Sequence, residues 1–471
     1  MTKFFRYFFV LLLIGFSSVL YAANTPKNII ILFADGVSTP QWEFGRYSKH
    51  ALLGKPFLVT DSLMSKGRYQ LMNTESADYF VTDSAAAASA MSTGYKVNNG
   101  AISVTPDGQM PTTLMKFAKQ SGKRIGLVST APIYDASPAA FSVHAKSRSQ
   151  SELIVDQYVT LEPEVLVGGG TDYFLPKDKG GKRQDGKDVI EVFRGKGYQV
   201  VTSPSQMTQI RSGRLVGLFA PEDIDFEMDR NPQEQPSLSQ MLELALSAIA
   251  TKSEQDKNQD KGFILFVENE NTDTAGHRND VAALMKEMWS FDEAVQVALN
   301  FQKKHPDTLL IVTGDHETGG FSPTYGRKNS GPAGKQNYLN VSNDQLRQLA
   351  SYKMSLDEFS SQYKEQVKKG ITENSLRQWL TQMIAENYPN LLVDDDLMER
   401  LVKQAQLGNN YNYLPANILA QAIARQTGIY FASSGHTPTP IVVIAYGPGQ
   451  DLFNGYEDNT QFAKKLFKLM K

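Results

Sequence analysis

Residues Asn28–Asp35 read NIIILFAD, a continuous apolar run that ends in an aspartate. Continuous rather than alternating hydrophobicity predicts a strand covered on both faces, as in a parallel sheet. Five further runs share this character: Arg124–Ser129, Val165–Val167, Phe263–Val267, Thr308–Thr313 and Ile441–Ala445. Amphipathic helical patterns lie between them, most clearly at Ser237–Ala250 and Phe291–Lys303. The alternation predicts an α/β fold, a three-layer α/β/α sandwich around a mostly parallel sheet.

One long stretch, residues 325–433, lacks a convincing buried strand. It carries helical patterns such as Leu376–Ala385 and Leu397–Leu407, and it lies between two predicted core strands. We therefore expect residues 24–471 to form one domain, with 325–433 as a largely helical cap insertion within it. The alternative is that this stretch simply continues the same domain.

The N-terminus has the three-part pattern of a secretory signal peptide. Lys3 and Arg6 are followed by the apolar run Phe8–Leu20 and then by small residues at Ala22 and Ala23. The run is short for a bilayer span, which disfavours the alternative of a membrane anchor. We expect residues 1–23 to be removed on export to the periplasm or the medium, leaving no stable membrane anchor.

The overall composition restricts the partners and the metal ligands. Of the 471 residues, 48 are Lys or Arg and 50 are Asp or Glu, so the formal net charge is -2. This balance gives no indication of nucleic acid as a specific partner. The chain contains no cysteine. Any bound metal must therefore be held by His, Asp, Glu or Ser rather than by thiolate.

Metal-ligand residue types follow three of the predicted strands. Asp35 follows the first run, Glu268 follows Phe263–Val267, and Asp315 and His316 come just after Thr308–Thr313. In open parallel sheets, ligands bind outside the carboxyl ends of the strands. A single aspartate there often caps the next helix. Three such strand ends together favour a metal site.

Two further candidates are less specific on their own. Asp273 and His277 are four residues apart, which on a helix places both side chains on one face. Such a pair is either a surface hydrogen bond or a pair of zinc ligands, and its place just after a strand end favours ligands. His436 precedes the last predicted strand, and considered alone it could equally be a structural loop histidine.

The segment Val81–Gly94 reads VTDSAAAASAMSTG and predicts a helix that begins near Asp83 and Ser84. Both residues suit a helix N-cap. The alternative is that Ser84 is a nucleophile, because the N–H groups and dipole of a helix N-terminus favour an anion. The dipole contributes only about 0.3–2 kcal/mol, so Ser84 would also need a metal ion to lower its pKa.

Taken together, these motifs resemble the alkaline phosphatase family. The strings TDSAAAASA and GDHETGG are the most specific, and the resemblance covers Asn28–Arg148, Val165–Phe174, Gly262–Phe321 and Gly435–Thr460. It implies a metal-dependent phosphomonoesterase that acts on small-molecule phosphate monoesters through a phosphoserine intermediate. Many members of the family are homodimers, so a homodimer is a candidate assembly.

The resemblance also implies a role for each candidate residue. Ser84 would accept the phosphate, Arg148 would bind it, and two Zn2+ and one Mg2+ would complete the site. The ligands would be Asp35, Asp315 and His316 for the zinc beside Ser84, Asp273, His277 and His436 for the second zinc, and Asp35, Ser137 and Glu268 for magnesium. Asp135 would act on the magnesium through its waters. Thr274 stands where the family often has Lys, His or Trp, and residues 269–272 are more polar than is usual there.

Two other functions are consistent with the same fold. One is a phosphodiesterase of the same superfamily, and the other is a non-catalytic metal- or phosphate-binding protein. Sulfatases are disfavoured because the alanines after Ser84 leave no Pro or Arg in the required positions. Arg148 and the proposed magnesium ligands favour monoesters, because several charged groups suit a dianionic phosphate.

Overall fold

The computed structural model describes residues 25–250, 260–328, 337–404 and 413–471. The predicted signal peptide, most of the polar stretch 251–261 and the end of the predicted helix Leu397–Leu407 lie outside the described residues. Within the described ranges, no helix is both long enough and apolar enough to cross a membrane.

The described residues form sixteen strands. In chain order they are β1 Asn28–Ala34, β2 Arg68–Met72, β3 Arg124–Pro132, β4 Val165–Gly169, β5 Gln199–Val201, β6 Leu215–Leu218, β7 Phe263–Asn269, β8 Thr308–Thr313, β9 Glu317–Thr318, β10 Phe321–Pro323, β11 Gly326–Lys328, β12 Asn337–Leu339, β13 Ile429–Phe431, β14 His436–Thr437, β15 Ile441–Tyr446 and β16 Gly455–Glu457. All six apolar runs singled out in the sequence are therefore strands.

Ten strands form one sheet in the order β16-β2-β15-β8-β1-β7-β3-β4-β6-β5. From β8 to β5 every pairing is parallel. Strand β15 is antiparallel to both β8 and β2, and β16 pairs with β2 in parallel. The predicted mostly parallel α/β sheet is confirmed.

Helices cover both faces of the sheet. They are Thr39–Leu53, Ser84–Thr93, Leu114–Gln120, Ala136–Ser142, Ser151–Leu161, Val189–Gly195, Pro204–Met207, Leu238–Ile249, Asn271–Arg278, Val281–Lys304, Asn343–Ala350, Leu356–Lys368, Glu373–Asn387, Asp395–Gln404, Leu414–Thr427 and Thr460–Met470. Single turns of other helix types occur at Thr171–Tyr173, Lys177–Lys179 and Gln450–Leu452, and a π-helix spans Val59–Met64.

The alternation of side chains along β1 separates two apolar cores. Ile30 and Leu32 pack into the core that contains Leu238–Ile249 and Val281–Lys304. Ile29 and Ile31 pack into the opposite core, with Ser84–Thr93 and Thr460–Met470. Since both sets of side chains are fully buried, the central strand is apolar at every position, as the sequence indicated.

The segment 325–433 is mostly helical, but it also contains strands. Its helices run from Asn343 to Thr427, and the three-residue strands β11, β12 and β13 are too short to stand out as apolar runs. Buried side chains such as Leu346 and Leu356 belong to the same core as one face of the sheet. The segment thus shares a core with the sheet, and its boundaries at 325 and 433 stay a prediction.

Candidate active site

Neighbouring strands β1, β7 and β8 bring the predicted ligands to one edge of the sheet. Phe33 of β1 lies in register with Glu268 of β7 and with Thr313 of β8. Asp35 therefore emerges beside Glu268, and Asp315 and His316 emerge on the other side. All four residues are buried, and none of their side chains is more than 3% exposed. Parallel pairing, which aligns the carboxyl ends of strands, is the reason that they meet.

The nucleophile candidate lies against the first of these groups. His316 Nε2 is 3.2 Å from Ser84 Oγ, 3.2 Å from Asp315 Oδ2 and 3.7 Å from Asp35 Oδ1. Asp35 Oδ1 and Asp315 Oδ2 are buried and have no hydrogen-bond partner among the described residues. The structure thus brings Ser84 together with the three residues predicted to hold the adjacent metal.

The second predicted group also assembles. Asp273 and His277 lie on the helix Asn271–Arg278, and His277 Nε2 is 3.1 Å from Asp273 Oδ2. His436 Nε2 lies 3.2 Å from His277 Nε2 and 3.7 Å from Asp273 Oδ1. Asp273 Oδ1 is also 4.0 Å from His316 Nδ1, and the rings of His316 and His436 stack at 3.6 Å. The two groups are therefore adjacent, with Asp273 between them.

Backbone carbonyls fix the orientation of two of these histidines. His277 Nδ1 is 2.6 Å from the carbonyl of Ser434, and His436 Nδ1 is 2.9 Å from that of Thr82. A carbonyl only accepts, so in both rings Nδ1 is the donor. In the neutral ring Nε2 then carries a lone pair, which is the form that binds a metal.

Thr318 links the two groups, and the sequence analysis did not single it out. Its hydroxyl donates to Asp273 and lies 3.2 Å from His316 Nδ1, from which it accepts. This leaves the His316 Nε2 lone pair facing Ser84. Thr318 belongs to the GDHETGG string, so its place in that string was the available signal.

The third predicted group contains only oxygen donors. Ser137 Oγ lies 3.4 Å from Asp35 Oδ2. Burial raises the pKa of Glu268, and a hydrogen bond from Ser137 offsets part of that rise. Glu268 accepts a further hydrogen bond from Ser129 in β3, a residue that the sequence analysis missed. The arrangement suits a hard cation such as Mg2+.

Crowding and burial raise the pKa of three of these carboxylates. Burial, and then repulsion from neighbouring carboxylates, raises the pKa of Asp35 well above its usual range. Burial raises the pKa of Glu268 to about 8 and that of Asp315 to about 7. For Asp273 burial acts in the same direction, but His277, His436 and His316 together outweigh it and lower the pKa. Together with the unpartnered oxygens, this crowding fits residues that hold divalent ions.

Arg148 lies at the start of the helix that carries Ser84. One of its terminal nitrogens is 3.1 Å from Asp135 Oδ1, and the other is 3.4 Å from Asp83 Oδ2. The charge of Asp135 raises the pKa of Arg148, so the guanidinium stays protonated. Asp83 caps the helix by accepting from Ala86 N at 2.9 Å. Asp83 is thus the cap, and the Ser84 hydroxyl is directed to His316 instead.

The Thr274 side chain hydrogen-bonds to a carboxylate. Its hydroxyl donates to Glu270 Oε1 at 2.8 Å, and the Glu270 Oε2 atom is buried with no hydrogen-bond partner in the described part of the chain. Burial, with the charges of Asp223, Asp273 and Asp135, raises the pKa of Glu270 well above its usual range. The sequence analysis noted the polar stretch around Glu270 but assigned it no role.

The mostly helical segment 325–433 reaches the site at His277. The rings of Tyr413 and His277 stack with centroids 5.2 Å apart and planes 10° from parallel. Asn417 donates to the backbone carbonyl of His277 at 3.2 Å, and Arg278 lies over the Tyr413 ring at 4.4 Å. Residues of this segment therefore help to fix the helix that carries Asp273 and His277.

Comparison with known proteins agrees with this geometry. The model of the family described as alkaline phosphatase matches residues 26–471. Alkaline phosphatase 3 of Bacillus subtilis is 30% identical over 462 residues, 94% of this chain and 89% of that protein. The Thermus thermophilus alkaline phosphatase structure has a TM-score of 0.78 and 28% identity, and the match covers 96% of this chain and 92% of the other.

A second solved structure is relevant to the metals. A mutant of the alkaline phosphatase from the Antarctic bacterium TAB5, solved with Mg bound, has a TM-score of 0.64 and 26% identity. The match covers 95% of this chain and 99% of that one. The family match and the relatives agree along nearly the whole described chain. Membership of this family supports the hydrolysis of phosphomonoesters. The chain therefore belongs to the alkaline phosphatase family and is a phosphatase.

Proposed function

We propose that the chain hydrolyses phosphate monoesters through a phosphoserine intermediate on Ser84, at a site that binds two Zn2+ and one Mg2+. The observation that carries this proposal is the 3.2 Å separation of Ser84 Oγ and His316 Nε2 at a helix N-terminus. A serine that served only as a helix cap would turn its hydroxyl to the helix backbone, and here Asp83 already has that role.

The donor chemistry supports the assignment of the ions. Zinc binds imidazole nitrogen and carboxylate oxygen, which Asp35, Asp315 and His316 supply beside Ser84. The second zinc would be held by Asp273, His277 and His436. Asp35, Ser137 and Glu268 offer oxygen alone, as Mg2+ prefers. When bound, these ions would supply Lewis-acid stabilisation of the attacking and leaving oxygens and lower the pKa of a coordinated hydroxyl.

The protein groups would carry the reaction in two displacements. The Ser84 oxygen attacks phosphorus and loses its proton, the bond from phosphorus to the ester oxygen breaks, and the alcohol leaves with a proton. Water then attacks the phosphoserine, the bond from phosphorus to the Ser84 oxygen breaks, and inorganic phosphate leaves as the serine regains its proton. The substrate gains one water overall.

Arg148 would orient the phosphate through both displacements. Its planar guanidinium can donate two parallel hydrogen bonds to non-bridging oxygens. Asp135 and Asp83 hold it beside the start of the helix Ser84–Thr93. The free N–H groups at that helix start add favourable partial charge for the same phosphate.

The test combines two substrates with one substitution. We expect hydrolysis of p-nitrophenyl phosphate to exceed that of bis(p-nitrophenyl) phosphate, to be lost on chelation and to return with zinc and magnesium. Acid quenching during turnover should trap labelled phosphate on Ser84, and Ser84→Ala should trap none. Activity that survives chelation and Ser84→Ala would overturn the mechanism. Preference for the diester would favour a phosphodiesterase, and absence of turnover with intact metal binding would favour a binding protein.

We also propose that the protein is exported and that residues 1–23 are its signal peptide. The charged start, the short apolar run and the small residues at Ala22 and Ala23 support this. The mature N-terminus, measured by mass spectrometry after fractionation of the cells, is expected at residue 24 in the exported fraction. Retention of the full chain in the membrane would favour the anchor instead.

A further inference from the structure

Glu317, in the GDHETGG string, is a buried carboxylate whose hydrogen-bonding positions are all occupied. It is 2% exposed. Its Oε1 atom accepts from Gln41 Nε2 at 2.7 Å and from Phe321 N at 2.9 Å. Its Oε2 atom accepts from Gly320 N at 3.1 Å and from the Thr437 hydroxyl. A carboxylate offers about four lone pairs, so this one has none left for a metal ion.

Strand pairing places Glu317 on the face opposite to the predicted metal ligands. In the two-stranded sheet of β9 and β14, Thr318 is in register with His436, and Glu317 is in register with Thr437. Successive side chains on a strand point to opposite faces. Thr318 contacts the predicted ligand Asp273 on one face, so Glu317 and Thr437 meet on the other. Glu317 thus lies behind the site rather than in it.

The side-chain partners of Glu317 come from two distant segments, and each segment carries a predicted zinc ligand. Gln41, 276 residues away, follows Asp35 on the turn into the helix Thr39–Leu53. Thr437, 120 residues away, directly follows His436. Glu317 itself directly follows a predicted ligand of the first zinc. One carboxylate therefore joins three segments that supply ligands to both zinc ions.

We propose that Glu317 is a positioning residue that holds the predicted ligands of both zinc ions in place. The inference rests on the proposed function, since it takes Asp35, His316 and His436 as zinc ligands. All four partners of Glu317 are donors, so only a group that accepts at every position satisfies them. A glutamine would turn its NH2 group towards one of these donors, and a buried donor without an acceptor is costly. The segments would then shift, and metal sites tolerate displacements of only about 0.5 Å.

The experiment measures how many of the two zinc ions each substitution weakens. Zinc is withdrawn from the zinc-loaded protein by a chelator of known affinity. We expect Glu317→Gln to weaken both ions by about 10–100-fold, because it disturbs the contacts to both distant segments. Thr437→Val removes only the contact with the segment of His436 and should weaken one ion. Thr437→Ser retains the hydroxyl, is the matched control and should bind both ions as the parent protein does.

A substitution elsewhere in the fold controls for a general loss of stability. Asp292 is fully buried between the helices Thr39–Leu53 and Val281–Lys304, where it accepts from Lys49 Nζ at 2.6 Å and from Val59 N at 3.1 Å. Asp292→Asn should lower the unfolding temperature but leave both zinc affinities unchanged. Equal zinc loss in Asp292→Asn and Glu317→Gln would overturn the positioning role.

The remaining outcomes separate this inference from the proposed function. Parent-like zinc binding by Glu317→Gln overturns the positioning role, and so does weakening of a single ion. If Glu317→Gln does not fold, the comparison of Thr437→Val with Thr437→Ser decides, and equal zinc binding by these two variants overturns the role. A parent protein that does not bind two zinc ions overturns the proposed function and this inference with it.

Discussion

Ser84 Oγ lies 3.2 Å from His316 Nε2, although 232 residues separate them in the chain. This contact predicts different outcomes for two substitutions. Ser84→Ala should lower turnover about a thousandfold or more but leave zinc bound, because only the nucleophile is removed. His316→Ala should also lower turnover, by more than about a hundredfold, and in addition release zinc.

Zinc per chain, measured by elemental analysis beside the p-nitrophenyl phosphate rate, checks both expectations. Circular dichroism serves as the control for folding. Loss of zinc in Ser84→Ala would contradict the separation of roles, as would full zinc content in His316→Ala.

Thr318 connects Asp273 with His316 through its hydroxyl. Thr318→Val keeps the shape but removes that hydroxyl, so both partners lose the contact that orients them. We expect zinc affinity to fall by about 10–100-fold, the usual cost of losing such a supporting residue. Thr318→Ser retains the hydroxyl and is the matched control. Competition with a chelator of known affinity measures the effect, and equal zinc release from both variants would argue against this role.

Arg148 is held by Asp135 and Asp83 in a position to bind phosphate. Arg148→Lys keeps the charge but cannot donate two parallel hydrogen bonds. We expect kcat/KM to fall by about 10–100-fold, the equivalent of one charged hydrogen bond. Inhibition by inorganic phosphate should weaken by a similar factor, while zinc content should not change. A fall in kcat/KM with unaltered phosphate inhibition would indicate that Arg148 contacts only the transition state.

Gly276 allows the helix of Asp273 and His277 to approach Thr318 closely. A Cβ at this position would lie 2.9 Å from Thr318 Cβ and 3.0 Å from its backbone oxygen. Gly276→Ala should therefore push the helix away and cost about 1–3 kcal/mol of stability as well as zinc affinity. Gly195→Ala is the control, because a Cβ there meets nothing within 4 Å. Thermal unfolding with and without zinc checks this, and equal effects of the two substitutions would refute it.

Glu287 contributes to the pH dependence of stability. It is 2% exposed on the helix Val281–Lys304, and burial raises its pKa to about 7. Its pKa in the unfolded chain is about 4.3, so between these values the unfolded chain ionises while the folded protein retains the proton. The free energy of unfolding should therefore decrease as the pH rises from about 4 to 7, by on the order of 3 kcal/mol for a shift of this size.

The substitution Glu287→Gln should flatten that decrease. Glu293→Gln, at an exposed position of the same helix, should leave it intact. Urea unfolding at several pH values provides the measurement. A pH dependence as steep in Glu287→Gln as in the parent protein would show that the buried carboxyl does not contribute.

Much of the site could be predicted because its ligands follow recognisable strands. Asp35 comes directly after one continuous apolar run and His316 three residues after another, and parallel pairing brings the ends of those runs to one edge of the sheet. The helix spacing of Asp273 and His277 could likewise be recognised locally. For these residues a short sequence pattern and one general rule of α/β folds were sufficient.

Other residues at the site have no local signal. Ser129 contacts Glu268 because β3 and β7 pair, and Tyr413 stacks on His277 because a distant helix packs nearby. The strands β11, β12 and β13 were missed in the segment 325–433 because three residues are too few to form a recognisable apolar run.

The amino-acid sequence by itself determined six strands of the main sheet, their alternation with helices, the apolar centre of the sheet and the types of donor at its edge, since these depend on short-range periodicity. Only the tertiary structure decided that Thr274 hydrogen-bonds to Glu270, that Thr318 joins two groups of ligands and that six carboxylates line one cavity. These relationships depend on packing between residues far apart in the chain, and no local pattern of residues specifies a distance across the fold.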